Sequence, residues 1–279
     1  MSMRINTNTD ALASMRNLII TGSMLTTATE RLSSGLRINH AADDAAGLSI
    51  SQKLESQVRG TAMAQRNAQD GISLLQTADG ALDEVSTILQ RMRELSVQGG
   101  NDVMTCDDRQ AIVTELQQLG NELDSISCQT TFNTNLLLDG SFVSSFQVGA
   151  NCGDILAIDL GGAKVDSATL GFGAGGSLVP TSASGNAVWT KAIASVDIAI
   201  TSVSTVRAII GADQNRLESI IRRLGIANEN MSASESRIRD ADMAKESVTF
   251  NKALILQQAG IAVLAQANAS PQSVLRLLQ

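Results

Sequence analysis

Apolar residues recur at intervals of seven along most of the chain, with polar positions between them. Each series of apolar residues spaced by seven is called a column here. The columns are Val196, Val203, Ile210, Leu217, Leu224 and Met231 in the second half, and Leu75, Leu82 and Leu89 in the first half. A further seam, with steps of four and three, runs from Ile112 to Ile126. This spacing places apolar side chains on one helix face. We predict amphipathic helices over roughly 44–98, 107–129 and 188–233 that pack against one another.

Both ends of the chain have the pattern of helices that are apolar on more than one face. Two such helices paired together would leave apolar surface uncovered, which is typical of an assembly interface. We therefore predict that the ends are loose in an isolated chain and become ordered when many copies meet. The predicted self-association residues are Leu18, Leu25, Leu32, Leu254, Ile255, Ile261, Val263 and Leu264.

The middle of the chain differs from both halves, because eight of the 22 glycines lie between Gly149 and Gly176. Alternating apolar and polar residues in 144–148 and 155–160 predict a short β-hairpin, followed by an irregular Gly/Ser-rich loop to about 185. The predicted fold is mainly α: a long antiparallel helical bundle or coiled coil with a small β-hairpin, in which the terminal helices pair. We predict three domains, formed by 1–42 with 238–279, by 43–140 with 186–237, and by 141–185.

The composition of the chain argues against several functional classes of protein. The 279 residues include 21 Lys and Arg against 28 Asp and Glu, and the net charge of −7 argues against a nucleic-acid binder. Aromatic residues make up only 2% of the chain, so the core must consist of aliphatic side chains. The stretch 253–275 has no charged residue and is long enough to span a bilayer, but its Gln, Asn and Ser side chains argue against membrane insertion.

The sequence contains few candidate residues for catalysis or metal binding. A single histidine, His40, excludes an HExxH zinc site and is interpreted as a solvated residue near a helix start. Three cysteines, Cys106, Cys128 and Cys152, form no CxxC motif. Their odd number allows a disulfide between copies, although we favour small half-buried side chains. We predict no catalytic residues, no cofactor and no metal site.

Several long motifs resemble those of bacterial flagellins. The N-terminal motifs are Glu30–Asn39, Asp43–Leu48, Arg66–Ser73 and Leu89–Leu95. The C-terminal motifs are Ser236–Asp242, Ile255–Gly260 and Val263–Asn268. They occur in the family's order at both ends and leave out little of the chain except about 160–187.

The resemblance implies a subunit that polymerises into the hollow flagellar filament used for swimming. Flagellins leave the cell unfolded through the flagellar type III export channel, so the implied location is the extracellular filament. The implied partners are further copies of the chain, the flagellar cap, junction proteins and an export chaperone that covers the C-terminal helix. The few residues between the two helical halves imply a minimal flagellin, in which a hairpin and loop replace the outer domains of larger relatives.

The resemblance also implies recognition by host innate immunity. Leu89–Leu95 matches the family motif that the vertebrate Toll-like receptor for flagellin reads, with Arg91 and Leu95 at the main contact positions and Glu115 at a third. The plainer interpretation is that Leu95 is a core residue and Arg91 a solvated charge.

Two alternatives to a filament subunit remain open at this stage. A hook–filament junction protein shares similar ends, but generally matches less well through the central helices. A secreted helical adhesin or effector belongs to another class, and self-assembly of the purified chain separates the two.

Overall fold

The computed structural model describes residues 7–162, 164–166 and 186–277, with side chains up to residue 269. The described part of the chain is mainly α-helical, as predicted. Its helices are α1 (Thr9–Ser34), α2 (Ala45–Gly99), α3 (Cys106–Gln129), α4 (Asn186–Arg239) and α5 (Met243–Leu277). The three internal helices predicted from the spacing are confirmed, and α4 continues for six residues beyond the predicted end.

Two short antiparallel pairs of strands follow α3. Strands β3 (Val143–Gln147) and β4 (Ile155–Asp159) form the predicted hairpin, with Val143 opposite Asp159 and Gln147 opposite Ile155. The pair β1 (Thr131–Phe132) and β2 (Asn135–Leu136) is not predicted by the sequence, because its turn residues are Asn133 and Thr134 rather than glycine. Both have left-handed backbone angles, φ 46° and 68°, as a tight hairpin requires. Most of the predicted Gly/Ser-rich loop to residue 185 lies outside the described residues.

The chain divides into two compact units. The terminal unit comprises the residues up to Val58 and those from Glu229 onward, and the central unit comprises Arg59–Asn228. Helices α2 and α4 contribute residues to both units. The predicted domain limits at 42/43 and 237/238 stay a prediction.

The predicted apolar columns form the core of the central unit. Leu75, Leu82 and Leu89 of α2 are fully buried, and they lie in one cluster with Val196 and Ile210 of α4. The inward faces of α3 and β4 complete this cluster. Since aliphatic side chains fill it almost entirely, the core agrees with the low aromatic content of the sequence.

One aromatic residue fixes the end of the core. Trp189, the only tryptophan of the chain, is fully buried against Gly99 at the end of α2. A Cβ atom at position 99 would lie 2.3 Å from the Trp189 ring, so only glycine allows this approach.

Ion pairs across α2 and α4 keep the two helices in register. The guanidinium group of Arg207 bridges Asp79 and Asp83 at 2.9 and 2.8 Å, and Arg93 donates to Asp197 at 2.7 Å. All are partly exposed, so each pair stabilises the unit by about 1 kcal/mol or less. Their main consequence is that they favour one antiparallel alignment over a slip of one turn.

We expect Leu82→Ala to lower the free energy of unfolding of the central unit by about 2–5 kcal/mol, because the substitution opens a cavity in a dense core. Ile198→Ala on the exposed side of α4 is the matched control, with an expected change within about 0.5 kcal/mol. Denaturant unfolding followed by Trp189 fluorescence measures both. Equal effects of the two substitutions would contradict the assignment of the core.

Candidate functional site

The terminal helices α1 and α5 form an antiparallel pair. At one end of α1, the Asn8 side chain caps the helix and its Nδ2 donates to the carbonyl oxygen of Ala267 at 2.8 Å. In the middle, Leu18 packs on α5 so closely that a Cβ atom at Gly260 would lie 3.0 Å from it. At the other end, Arg31 pairs with Glu246 at 3.2 Å. The pairing predicted for the terminal helices is therefore present.

Much of the apolar surface of this pair remains uncovered. Of the eight predicted self-association residues, Leu18, Leu25, Leu32 and Leu264 are half-buried, whereas Leu254, Ile255, Ile261 and Val263 are exposed. Further exposed apolar residues of the pair, outside the predicted set, are Leu12, Met15, Ile19, Ile20, Met24, Val248 and Leu256. On α1 the series Leu18, Leu25 and Leu32 is half-buried, whereas on α5 Val248 and Ile255, which are also seven apart, are exposed. Spacing alone therefore does not tell which face of a terminal helix meets its partner.

A short junction joins the terminal pair to α2 and α4 within the terminal unit. The backbone N–H of Arg37 donates to the carbonyl oxygen of Arg239 at 2.7 Å, and that of Ala241 donates to Gly35 at 2.9 Å. The Arg37 guanidinium group also donates to the carbonyl oxygen of Ile238 at 2.6 Å, which satisfies an orphan acceptor near the end of α4. Gly35 has the left-handed backbone, φ 72°, that ends α1.

The predicted receptor residues occupy two different environments. Arg91 of α2 and Glu115 of α3 are half-exposed and joined at 2.8 Å, while Glu94 lies 3.2 Å from the same guanidinium group. The hydrogen bonds to Glu115 and then Glu94 raise the pKa of Arg91, so the group stays charged. Leu95 is only 2% exposed and belongs to the core. Arg91 and Glu115 therefore lie together on the surface, whereas Leu95 is buried beneath it.

The cysteines differ from the expectation. Cys106, Cys128 and Cys152 are all exposed, so the prediction of half-buried side chains is wrong. Cys106 begins α3, Cys128 lies in the last turn of that helix, and Cys152 lies between β3 and β4. Helix ends and hairpin turns face water, and a disulfide between copies requires exposed thiols of this kind.

His40 is exposed as predicted, and its Nε2 lies 2.8 Å from Oε1 of Glu30. Among the described residues, no group of three or more His, Cys, Asp or Glu side chains is arranged to hold a metal ion.

By length and composition alone, α4 and the Met243–Ala269 part of α5 are apolar enough to cross a membrane. In α4, the apolar column forms the core of the central unit. In α5, only Ala253 is fully buried among the described side chains, so one chain does not account for the apolar character of this helix.

These features define a helical structural protein whose terminal helices have more apolar surface than one chain covers. Residues 5–143 match the model of the bacterial flagellin N-terminal helical region, and residues 193–278 match that of the C-terminal helical region. The chain is 48% identical to a flagellin of Halalkalibacterium halodurans over 278 residues, which covers 99% of this chain and 100% of the relative. It is 45% identical to a flagellin of Bacillus subtilis, with the same coverage of each chain. The chain belongs to the bacterial flagellin family.

Family membership makes the chain a structural subunit of the extracellular flagellar filament, a homopolymer, and not an enzyme. The full-length match to the Halalkalibacterium halodurans relative agrees with a minimal flagellin. Among solved structures, a flagellar hook-associated protein of Vibrio parahaemolyticus is similar with a TM-score of 0.59 and 17% identity, covering 71% of this chain and 100% of that one. That similarity shows a shared fold only. The junction-protein alternative therefore lacks the sequence support that the flagellin assignment has.

The turn that leads into α2 gives a pH prediction. The Asp43 carboxylate accepts the backbone N–H groups of His40 and Asn39 at 3.0 and 3.1 Å, and these hydrogen bonds lower its pKa below the usual 3.8. A lowered pKa means that the turn is stabilised above the pKa of an unfolded aspartate and loses this contribution as the pH falls through the folded value. A carbon-13 NMR titration should show a midpoint below 3.8.

Asp43→Asn is the control, because an amide oxygen also accepts hydrogen bonds but does not titrate. We expect the amide signals of Asn39 and His40 to stop responding to pH in that window. A midpoint for Asp43 at or above the ordinary aspartate value would contradict the geometry of the turn.

Proposed function

We propose that the exposed apolar faces of α1 and α5 are the polymerisation interface of the filament. Full burial of one large aliphatic side chain stabilises an interface by about 1.5–3 kcal/mol. The pair exposes Leu12, Ile19, Ile255 and Ile261 among others, so burial against neighbouring copies supplies more than enough energy for association. This uncovered surface is the observation that carries the proposal.

The contact must be heterologous, since a filament grows only where one surface of a copy meets a different surface of the next. The helix pair meets this condition, because α1 and α5 expose different apolar residues. In the pair, Leu18, Leu25, Leu32 and Leu264 are half-buried, and Leu18 contacts α5 of the same chain. The exposed Leu254, Ile255, Ile261 and Val263 then contact neighbouring subunits.

We expect Ile261→Asp to abolish filament formation, because a carboxylate would be buried without a partner among apolar side chains. The matched control is Ile198→Asp, which introduces the same charge at an exposed isoleucine of α4. Electron microscopy of seeded protein measures assembly, and circular dichroism verifies that helix content is retained. Removal of residues 254–279 is the larger version of the test and should also prevent polymerisation while leaving much helix. Filaments from either the truncated chain or Ile261→Asp would refute the proposal.

The same surface supports a role for partners before assembly. We propose that an export chaperone covers α5, since a helix with so few buried side chains would otherwise associate in the cell. The proposed route of export is the flagellar type III channel, in the unfolded state. At the tip, the flagellar cap and the junction proteins are proposed to meet the same terminal helices. These partners follow from family membership together with the exposed apolar faces.

We also propose that a host Toll-like receptor reads the surface formed by Arg91 and Glu115. The guanidinium group is half-exposed and held in place by two carboxylates, so its remaining donors are presented in a fixed direction. Leu95 has an indirect role in this proposal, because its buried side chain positions the part of α2 that bears Arg91. A fixed arginine is typical of an interface hot spot.

We expect Arg91→Ala to weaken receptor activation about tenfold or more in a reporter-cell assay. Arg93→Ala is a closely matched control, because Arg93 lies on the same helix, is equally exposed and also pairs with a carboxylate. Equal activation by Arg91→Ala and wild type would refute the receptor role. Equal loss in both variants would indicate damage to α2 rather than a specific contact.

A further inference from the structure

The net charge of the chain lies entirely in the central unit. The terminal unit has 10 basic and 10 acidic residues, whereas the central unit has 11 basic and 18 acidic residues. Within the central unit, five of the 11 basic residues lie in 59–66 of α2 and 216–223 of α4, and all five are exposed. The acidic excess therefore lies in the rest of the unit.

An exposed ridge on α4 combines this positive charge with an apolar side chain. Arg222, Arg223 and Ile226 are all exposed, with 68% of the Arg222 side chain and 63% of Ile226 accessible. Arg222 lies 3.6 Å from Glu218 one turn earlier, and this solvent-exposed pair is weak. The ridge formed by Arg222, Arg223 and Ile226 is therefore available to a partner that offers carboxylates and an apolar recess.

A groove of that kind runs between α2 and α3. Its volume is about 430 Å³. Its apolar lining comes from Ala81, Ile88 and Ile126, and its uncharged polar lining comes from Ser125, Gln129 and Thr130. Glu84 of α2 and Glu122 of α3 also line it, and both are exposed. The groove thus has an apolar surface for one aliphatic side chain and two carboxylates for two guanidinium groups.

We propose that the α4 ridge of one subunit seats in the α2–α3 groove of a neighbouring subunit in the filament. This inference rests on the proposed polymerisation and adds a second contact, within the central unit, to the one made by the terminal helices. Ile226 covers the apolar lining, while Arg222 and Arg223 pair with Glu84 and Glu122. The occupant is a second copy because charge and apolar surface are complementary on the same chain.

A chain cannot fill its own groove. The Gln65 side chain of α2 donates to the carbonyl oxygen of Ile221, which places the ridge beside that part of α2. The groove begins at Ala81, sixteen residues further along, which is about 24 Å of helix. Because ridge and groove are separate surfaces of one unit, their contact is heterologous, the type of contact that builds a filament when its rotation does not close a ring.

The decisive experiment exchanges the charges of the two surfaces. The variant Arg222→Glu/Arg223→Glu has carboxylates on both ridge and groove, and Glu84→Lys/Glu122→Lys has cations on both. Each variant alone places like charges together, so its critical concentration for seeded growth at low salt should rise about tenfold or more. An equimolar mixture restores opposite charges at every contact when the two variants alternate. We expect the mixture to form filaments.

Controls separate this contact from general charge effects and from the terminal helices. Lys53→Glu/Lys191→Glu changes the net charge as much as the ridge variant does, at two exposed positions elsewhere, and should assemble like wild type. The uncharged variants Arg222→Gln/Arg223→Gln and Glu84→Gln/Glu122→Gln should each assemble better than the corresponding charge-exchanged variant, because neither places like charges together. Circular dichroism and Trp189 fluorescence confirm that each variant folds.

The outcomes are distinct. Absence of rescue in the charge-exchanged mixture, or unchanged assembly of both single variants, would overturn the ridge–groove contact while wild-type filaments leave the proposed function standing. Absence of filaments in wild type would instead refute polymerisation itself. Assembly of the uncharged variants that is no better than that of the charge-exchanged variants would show that the contact does not depend on charge and would also overturn the proposal.

Discussion

The apolar surface of the paired terminal helices is the constraint on which the rest of the account depends. Within one chain, α1 and α5 bury Ala28, Ala253 and the inward sides of a few leucines, yet they expose isoleucine, leucine and methionine side chains along their outer faces. Exposure of such a surface to water is unfavourable, and the described residues of the terminal unit do not cover it. In the proposed interface, association with further copies removes this penalty, so the surface that disfavours the isolated monomer would drive the growth of the filament.

The central unit differs from the terminal unit, because its apolar core is buried within one chain. Leu82, Trp189 and Leu217 are fully buried there, and ion pairs such as Arg207 with Asp79 hold the alignment of α2 and α4. A unit with its own buried core can present fixed surfaces, including the Arg91–Glu115 pair and the α2–α3 groove. The two units therefore differ: the central unit has a buried core within one chain, whereas in the proposed interface the terminal unit is covered by neighbouring subunits.

Sequence periodicity predicted what depends on one repeating interaction. The column from Val196 to Leu224 is buried because a spacing of seven keeps one helix face toward its partners. The same spacing does not predict features that depend on a single contact. It does not reveal that Gly99 admits the Trp189 ring or that Asn133 and Thr134 make a tight turn. At α1 it identified the half-buried Leu18 and Leu25, whereas the exposed Met24, part of the proposed interface, lies outside every series of sevens.

The central claim is that the terminal helices obtain their order from identical neighbours, and amide hydrogen exchange tests this claim most directly. Exchange is measured for the monomer in dilute solution and for assembled filaments, with α2 and α4 of the central unit as the internal reference. The account predicts fast exchange along α1 and α5 in the monomer, slow exchange in the filament, and slow exchange of the reference in both. Strong protection of α1 and α5 in the isolated monomer would contradict it.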